Sequence, residues 1–275
     1  MPASPRPSLI HPTAVIDPSA ELAEDVRVGP YAIVEAGSRI GAGCAVGPHA
    51  VIGRNVRLGR DNQISHHAVI GTESQDSKYR GEWTGLEVGD GNVFREFVTV
   101  NRATGEGKAT RIGSGCRLLA YSHVAHNSAI GDGAVLANCA QVGGEVVIEE
   151  AVILGGLVGV HQFCRVGAYA IVGACSKVTQ DILPFVTADG HPARPHGLNL
   201  VGLKRHGFSE EVISTLKAAY HCLFRKGARL EEALETLSRD YENSPEIARI
   251  VEFIRSSQRK IARPRKRDYD LADPV

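Results

Sequence analysis

The chain has 275 residues, with Lys+Arg and Asp+Glu both at 31, so no whole-chain charge excess points to nucleic acid or to an anionic membrane. Its longest apolar runs, such as AVILGGLVGV from Ala151 to Val160, fall well short of the ~18 residues a membrane span needs, and MPASPRPSLIHP lacks the apolar core of an export signal. The expectation is a cytoplasmic protein that is not membrane-embedded, and its six cysteines, without CxxC spacing, read as reduced thiols.

From Ile10 a large apolar residue returns every sixth position through Ile16, Leu22, Val28, Val34, Ile40, Val46, Ile52, Leu58 and Ile64 to Ile70. Two residues before many of these anchors stands a small side chain, such as Ala14, Ala32, Ser38, Cys44 or Ala50, and glycine often follows the anchor directly, as at Gly41, Gly47 and Gly53. A period of six fits a short strand plus a turn, repeated. Because side chains alternate across a strand, the anchor and the residue two before it face inward together. Stacked hexads of this kind build a parallel β-helix, and the glycines are expected to ease its corners by adopting unusual backbone angles.

The count then breaks. Continued through the gaps it would put Asp76, Glu82 and Glu106 at anchor positions, and an unpaired carboxylate in a dry core is prohibitively costly. Loops are therefore expected near 72–87 and 101–110, with Val88, Phe94 and Val100 carrying the helix between them. A long polar loop on a rigid scaffold is a favoured place for function. After the second loop the anchors run without a break from Ile112 to Val178, with Cys116 and Cys164 in the small inward position.

Past Val178 a Pro-containing passage, DILPFVTADGHPARPHGLN, ends the repeat. Helices follow: one opened by Ser209 and closed by Gly227, a second over about 229–242, and a third opened by Ser244 and Pro245 that ends near Ser256. The division is thus a β-helical domain over 1–196 and a helical domain with a basic tail over 197–275, the stretch QRKIARPRKRDYDLADPV reading as loosely ordered.

Within the repeat, SHVAHNSAIG (122–131) carries two histidines. Val124 is an anchor, so His123 points outward and His126 sits on the following turn. If three hexads close one coil, His126 stacks under Gly144 and then Gln162 at ~4.8 Å per coil; His161 takes the place after an anchor. A base beside the accessible N–H of a glycine is the minimum for acyl transfer: the base takes a proton and the N–H stabilises an oxyanion. Outward histidines also suit a solvated surface or a subunit contact on a non-catalytic scaffold. Three of them suit zinc with an open fourth position, as in γ-type carbonic anhydrases, although His123 and His126 lie on different parts of the turn and further ligands are not evident.

QDSKY (75–79), HVAHN (123–127), GVHQF (159–163) and NLVGLKRHGFS (199–209) resemble the corresponding stretches of the UDP-N-acetylglucosamine O-acyltransferases, a hexapeptide-repeat family that opens lipid A biosynthesis. The resemblance covers roughly residues 8 to 257. It implies a left-handed β-helix, three hexads to a coil, assembled as a homotrimer with each site between two subunits, and no cofactor or bound metal. His126 then matches the general base that activates the sugar 3-hydroxyl toward the thioester of a 3-hydroxyacyl-acyl carrier protein, and Gly144 the oxyanion donor. Gln75, Asp76, Lys78, His123, His161, Gln162, Asn199 and Arg205 match positions that contact the UDP-sugar, its diphosphate or the acyl donor. Ile171 and Ala174 fall where the family measures acyl chains. The cationic residues Lys204, Arg205, Lys217, Arg225, Lys226 and Arg229 suit an acidic carrier protein.

Two positions depart from the family pattern. Asn127 stands where an acid is common and Glu145 where a histidine is common; being 18 residues apart, they are expected to stack. The carboxylate of Glu145 is therefore expected either to orient His126 in place of the missing acid or to select a 3-amino sugar, which would be acylated on nitrogen.

Overall fold

The computed structural model describes residues 9–224 and 229–264. Short strands, most of two residues, pack into three parallel sheets that form the faces of a prism, and the chain visits the faces in rotation. The first face runs from Val15–Ile16 to Lys177–Val178, the second from Glu21–Leu22 to Arg165–Val166, and the third begins at Arg27–Val28. Register confirms a coil of 18 residues wherever no loop intervenes: Val124 pairs with Val142 and Val142 with Val160. This is a left-handed parallel β-helix. Anchors from Val28 onward are buried, as are the small inward residues Ala32, Cys44, Cys116 and Cys164. Burial pushes the Cys116 thiol up to about 11, which keeps it an inert core group.

The role expected of the glycines is corrected by the geometry. The left-handed backbone falls on the third residue after an anchor, at Tyr31, His49, Asn127, Glu145 and Phe163, all with φ between 57° and 65°. Such non-glycine residues are strained by ~1–2 kcal/mol each, which the hydrogen bonds between coils offset; Glu145 N–H, for instance, donates to His126 C=O at 3.0 Å. Gly71, at φ 88°, adopts the expected unusual backbone, but elsewhere the glycine directly after the anchor answers to crowding. A Cβ at Gly41 would lie 2.5 Å from the carbonyl oxygen of Gly59, and one at Gly131 would lie 2.6 Å from the nitrogen of Glu150.

Both breaks in the repeat leave the prism at the same corner, between the first and second faces, and in successive coils. The chain departs after Val69–Thr72 and returns at Gly85–Val88, then departs after Thr99–Asn101 and returns at Ala109–Ile112. The two loops zip together: Gly105 N–H donates to Glu82 Oε1 at 2.7 Å, Trp83 N–H to Glu106 Oε2 at 3.1 Å, and Gly107 N–H to Trp83 C=O at 2.9 Å. The N–H groups of Gly105 and Arg80 hold the Glu82 carboxyl below the usual carboxylate range. Neither loop would satisfy its backbone alone.

The passage after Val178 contains an element absent from the sequence reading. Val186–Gly190 and Ala193–Leu198 form an antiparallel hairpin that extends the third sheet. Its outer strand contains Pro195 and lies at the sheet edge, where a strand tolerates a missing N–H. Four helices follow among the described residues: α1 (Leu200–Arg205), α2 (Glu210–Phe224), α3 (Leu230–Asp240) and α4 (Pro245–Arg255). α1, six residues long, is too short to show a helical period. Ser209 and Ser244 cap as expected, accepting from the N–H groups of Val212 at 3.2 Å and Ile247 at 3.3 Å. The helices rest on the second face through Arg165, whose guanidinium lies 4.2 Å from the centre of the Phe253 ring and donates to Ser256 Oγ and Glu149 Oε1.

The reading of the tail is corrected at its first residues only. Ile261 and Ala262 are buried, and the strand-like bridge to Asp181 is closed by Asp181 N–H to Lys260 C=O at 2.9 Å and Ala262 N–H to Asp181 C=O at 2.8 Å. Backbone pairing at the open end of the coil outweighs the polar composition of this stretch. Arg225, Lys226, Gly227 and residues 265–275 lie outside the described residues.

Candidate active site

His126, Gly144 and Gln162 occupy equivalent places in three successive coils, at the corner from which both loops depart. The imidazole of His126 folds over Gly144: a Cβ there would stand 2.5 Å from His126 Nε2 and 2.6 Å from Cε1. Only glycine leaves room for the ring. The N–H of Gly144 has no acceptor among the described residues, whereas its neighbours Gly143 and Glu145 both donate to adjacent coils.

The other ring nitrogen is tied down. His126 Nδ1 lies 2.9 Å from Asn127 Oδ1. The orientation of the Asn127 amide is settled by the second loop, because Oδ1 accepts Thr104 N–H at 2.8 Å and Nδ2 donates to Thr104 C=O at 3.0 Å. With an acceptor facing Nδ1, the proton of the neutral imidazole sits on Nδ1 and the lone pair on Nε2, the nitrogen that lies over Gly144. Asn127 therefore provides the orienting acceptor itself. Glu145 is exposed, and its carboxylate has no hydrogen bond or ion pair among the described residues, so the expected transfer of that role to Glu145 is not what the geometry shows.

The remaining residues divide into two groups. Close to the corner, His123 faces outward on the first face, paired in register with Thr99 and Gln141, and its Nδ1 lies 2.7 Å from Thr99 Oγ1. His161 and Gln162 are exposed at the same corner, with His161 Nδ1 3.2 Å from Arg259 Nη2. Gln75 and Lys78 are exposed on the first loop around Asp76, which folds a turn by accepting Lys78 N–H on Oδ1 at 3.0 Å and Tyr79 N–H on its carbonyl at 3.0 Å. Away from the corner, Asn199 is nearly buried beside the second-to-third corner, where its Nδ2 donates to Tyr169 C=O and its Oδ1 caps α1 through Gly202 N–H. Arg205 is exposed at the end of α1, and Ile171 and Ala174 lie on the third face and the corner that follows it. A single chain thus does not bring Asn199, Arg205, Ile171 and Ala174 to His126. The sequence reading missed Thr104, which holds the Asn127 amide; the one available signal was that the second loop lies in the coil directly beneath His126.

Burial, with a smaller contribution from His126, pushes the His123 imidazole below its usual pKa, partly opposed by Thr99. A folded pKa below the unfolded value favours the neutral ring, so stability from this group is complete above pH ~6.5 and declines as pH falls below it. Thermal unfolding of wild type is accordingly expected to move to lower temperature on acidification through that region, and His123→Gln to flatten that part of the curve; parallel curves would contradict it.

Among the described residues no three His, Cys, Asp or Glu side chains converge to hold a metal ion. A groove of about 1010 Å³ lies on the second face between Arg57, Arg111 and Glu149 and contains none of these histidines; the chemistry of the corner site is defined by side-chain placement.

A left-handed hexapeptide coil with a helical cap, and a histidine lone pair over a backbone N–H that has no acceptor among the described residues, fit an acyltransferase of the hexapeptide-repeat class. The profile for bacterial transferase hexapeptides (six repeats) matches residues 109–144, and that for domain 2 of UDP-N-acetylglucosamine O-acyltransferases matches residues 181–262. An acyl-[acyl-carrier-protein]–UDP-N-acetylglucosamine O-acyltransferase of Alkalilimnicola ehrlichii is 56% identical over 92% of this chain and 99% of its own length; that of Thiobacillus denitrificans is 50% identical over the same shares. Among solved structures, the UDP-N-acetylglucosamine acyltransferase of Francisella novicida aligns with a TM-score of 0.91 at 32% identity, covering 94% of this chain and 95% of that one. The O-acyltransferase of Moraxella catarrhalis aligns at 0.88 and 42%, covering 93% and 100%. The chain belongs to the acyl-[acyl-carrier-protein]–UDP-N-acetylglucosamine O-acyltransferase family.

Proposed function

We propose that His126 is the general base of this acyl transfer, taking the proton of the UDP-N-acetylglucosamine 3-hydroxyl as that oxygen attacks the thioester carbonyl of a 3-hydroxyacyl-acyl carrier protein. The attack forms the C–O bond and a tetrahedral oxyanion, which Gly144 N–H receives. Collapse expels the carrier thiolate, which recovers a proton from His126. The observation that carries this reading is the placement of His126 Nε2 over Gly144 with Nδ1 held by Asn127. The step needs neither metal nor cofactor, since proton transfer and oxyanion stabilisation suffice.

Gln75, Asp76 and Lys78 on the first loop, with His123, His161 and Gln162, hold the nucleotide sugar and the donor. Asn199, Arg205, Ile171 and Ala174 belong to the site through a cytoplasmic homotrimer, in which the corner of one subunit faces a neighbour; their distance from His126 within one chain supports that arrangement. Lys204, Arg205, Lys217 and Arg229 concentrate positive charge on the helical cap for an acidic carrier protein. Weakened steering is expected to raise the KM for acyl carrier protein with salt and on charge reversal at Arg205, Lys217 and Arg229. An unchanged KM in the triple reversal would place docking elsewhere.

A second reading, N-acylation of a UDP 3-amino sugar, draws on Glu145, an exposed carboxylate one coil above Asn127 with no partner among the described residues. Initial rates with both acceptors decide between them. The hydroxyl reading expects preference for UDP-N-acetylglucosamine in wild type and little change in Glu145→His. Preference for the amine in wild type, reversed by roughly tenfold or more in Glu145→His, would establish the second, because a charge-assisted hydrogen bond is worth ~1.5–3 kcal/mol.

A further inference from the structure

We infer that the hydroxyl pair Ser74–Thr104 couples the sugar-binding loop to the catalytic base, making both residues positioning residues for the reaction; the inference rests on the reading of His126 as base. Thr104 is joined to the imidazole through its main chain, since its N–H and C=O clamp the Asn127 amide whose Oδ1 faces His126 Nδ1. Its side chain points the other way, with Oγ1 2.6 Å from Ser74 Oγ. Ser74 Oγ in turn accepts the N–H of Asp76 at 3.1 Å. A continuous line of hydrogen bonds therefore runs from His126 through Asn127, Thr104 and Ser74 to Asp76.

The line closes into a ring. Asp76 C=O accepts Tyr79 N–H, Tyr79 OH lies 3.3 Å from Arg102 Nη2, and Arg102, buried and two residues before Thr104, donates Nη1 to Gly71 C=O at 2.9 Å. Further bonds from Asn101 Nδ2 to Glu73 C=O at 2.8 Å and from Arg102 N–H to Thr72 C=O at 2.8 Å bind the start of the first loop to the base of the second. Asp76 and the His126 ring thus share one hydrogen-bonded frame. A ligand that orders Asp76 favours the ring orientation that leaves Nε2 over Gly144, and by linkage the oriented ring favours the ordered loop. The two insertions fall in successive coils at one corner because each supplies half of this frame.

The test is steady-state kinetics of Ser74→Ala, Thr104→Val and the double variant with UDP-N-acetylglucosamine and 3-hydroxyacyl-acyl carrier protein, with unfolding temperature measured alongside. Each single variant is expected to lower kcat about three- to tenfold and raise the KM for the sugar nucleotide by a similar factor, the range of one net hydrogen bond. The double variant is expected to be no worse than the weaker single, because both break the same link. Thr104→Ser keeps the hydroxyl and is expected to restore activity, and in an Asn127→Ala background Thr104→Val is expected to lower kcat no further. Multiplying effects in the double variant, or a raised KM with kcat unmoved, would overturn the coupling. Turnover that survives in His126→Ala would overturn the reading beneath it instead.

Discussion

Replacing His126 by alanine is expected to lower kcat by about 10²–10⁴, the range a positioned general base contributes, with UDP-sugar affinity changed by no more than the roughly three- to tenfold that one net hydrogen bond in the coupling accounts for and little change in unfolding temperature. The separation follows from where the residue sits. His126 is a half-buried corner side chain outside the apolar core, so its removal leaves no cavity among the anchors, and the main-chain bond from Glu145 N–H to His126 C=O survives the substitution. The sugar is held chiefly by the loop and by the outward histidines. Turnover above about a tenth of wild type would be incompatible with a base of this strength.

Gly144→Ala is expected to cost about 10²-fold in kcat/KM. The new methyl carbon would stand 2.5 Å from His126 Nε2, 2.6 Å from Cε1 and 3.1 Å from Cδ2, so the ring has to leave. In doing so it gives up the Asn127 contact, and a displacement of ~1 Å at a reacting group is worth about that factor. The methyl also covers the N–H proposed to receive the oxyanion. Because Gly144 does not adopt a left-handed backbone, the methyl adds no torsional strain, and the unfolding temperature is expected to stay close to wild type. A large drop in that temperature with normal kcat/KM would mean that Gly144 serves packing alone.

Much of the coil is legible in the sequence because its period is imposed by burial. Each anchor from Val28 to Val178 has to be apolar, and the points where the period would place Asp76, Glu82 and Glu106 inside are the points where the chain leaves the prism. Arithmetic on the same period, with three hexads to a coil supplied by the family resemblance, stacks His126, Gly144 and Gln162. What stays hidden is decided by hydrogen bonds between segments with no common period. The hairpin 186–198 hides behind prolines, and the docking of Ile261 and Ala262 on Asp181 is a main-chain event indifferent to side-chain polarity. Asn127 marks itself by departing from the family pattern, yet its role depends on Thr104, which reaches it from 23 residues away.

The measurement that bears most directly on the proposed site is the mass and linkage of the product formed from UDP-N-acetylglucosamine and a 3-hydroxyacyl-acyl carrier protein, with wild type and His126→Ala side by side at equal concentration. An ester at the sugar 3-oxygen from wild type, and at most a trace of it from His126→Ala over the same interval, is the predicted result. Equal ester from both proteins, or an amide from a 3-amino sugar while UDP-N-acetylglucosamine is left untouched, would contradict it.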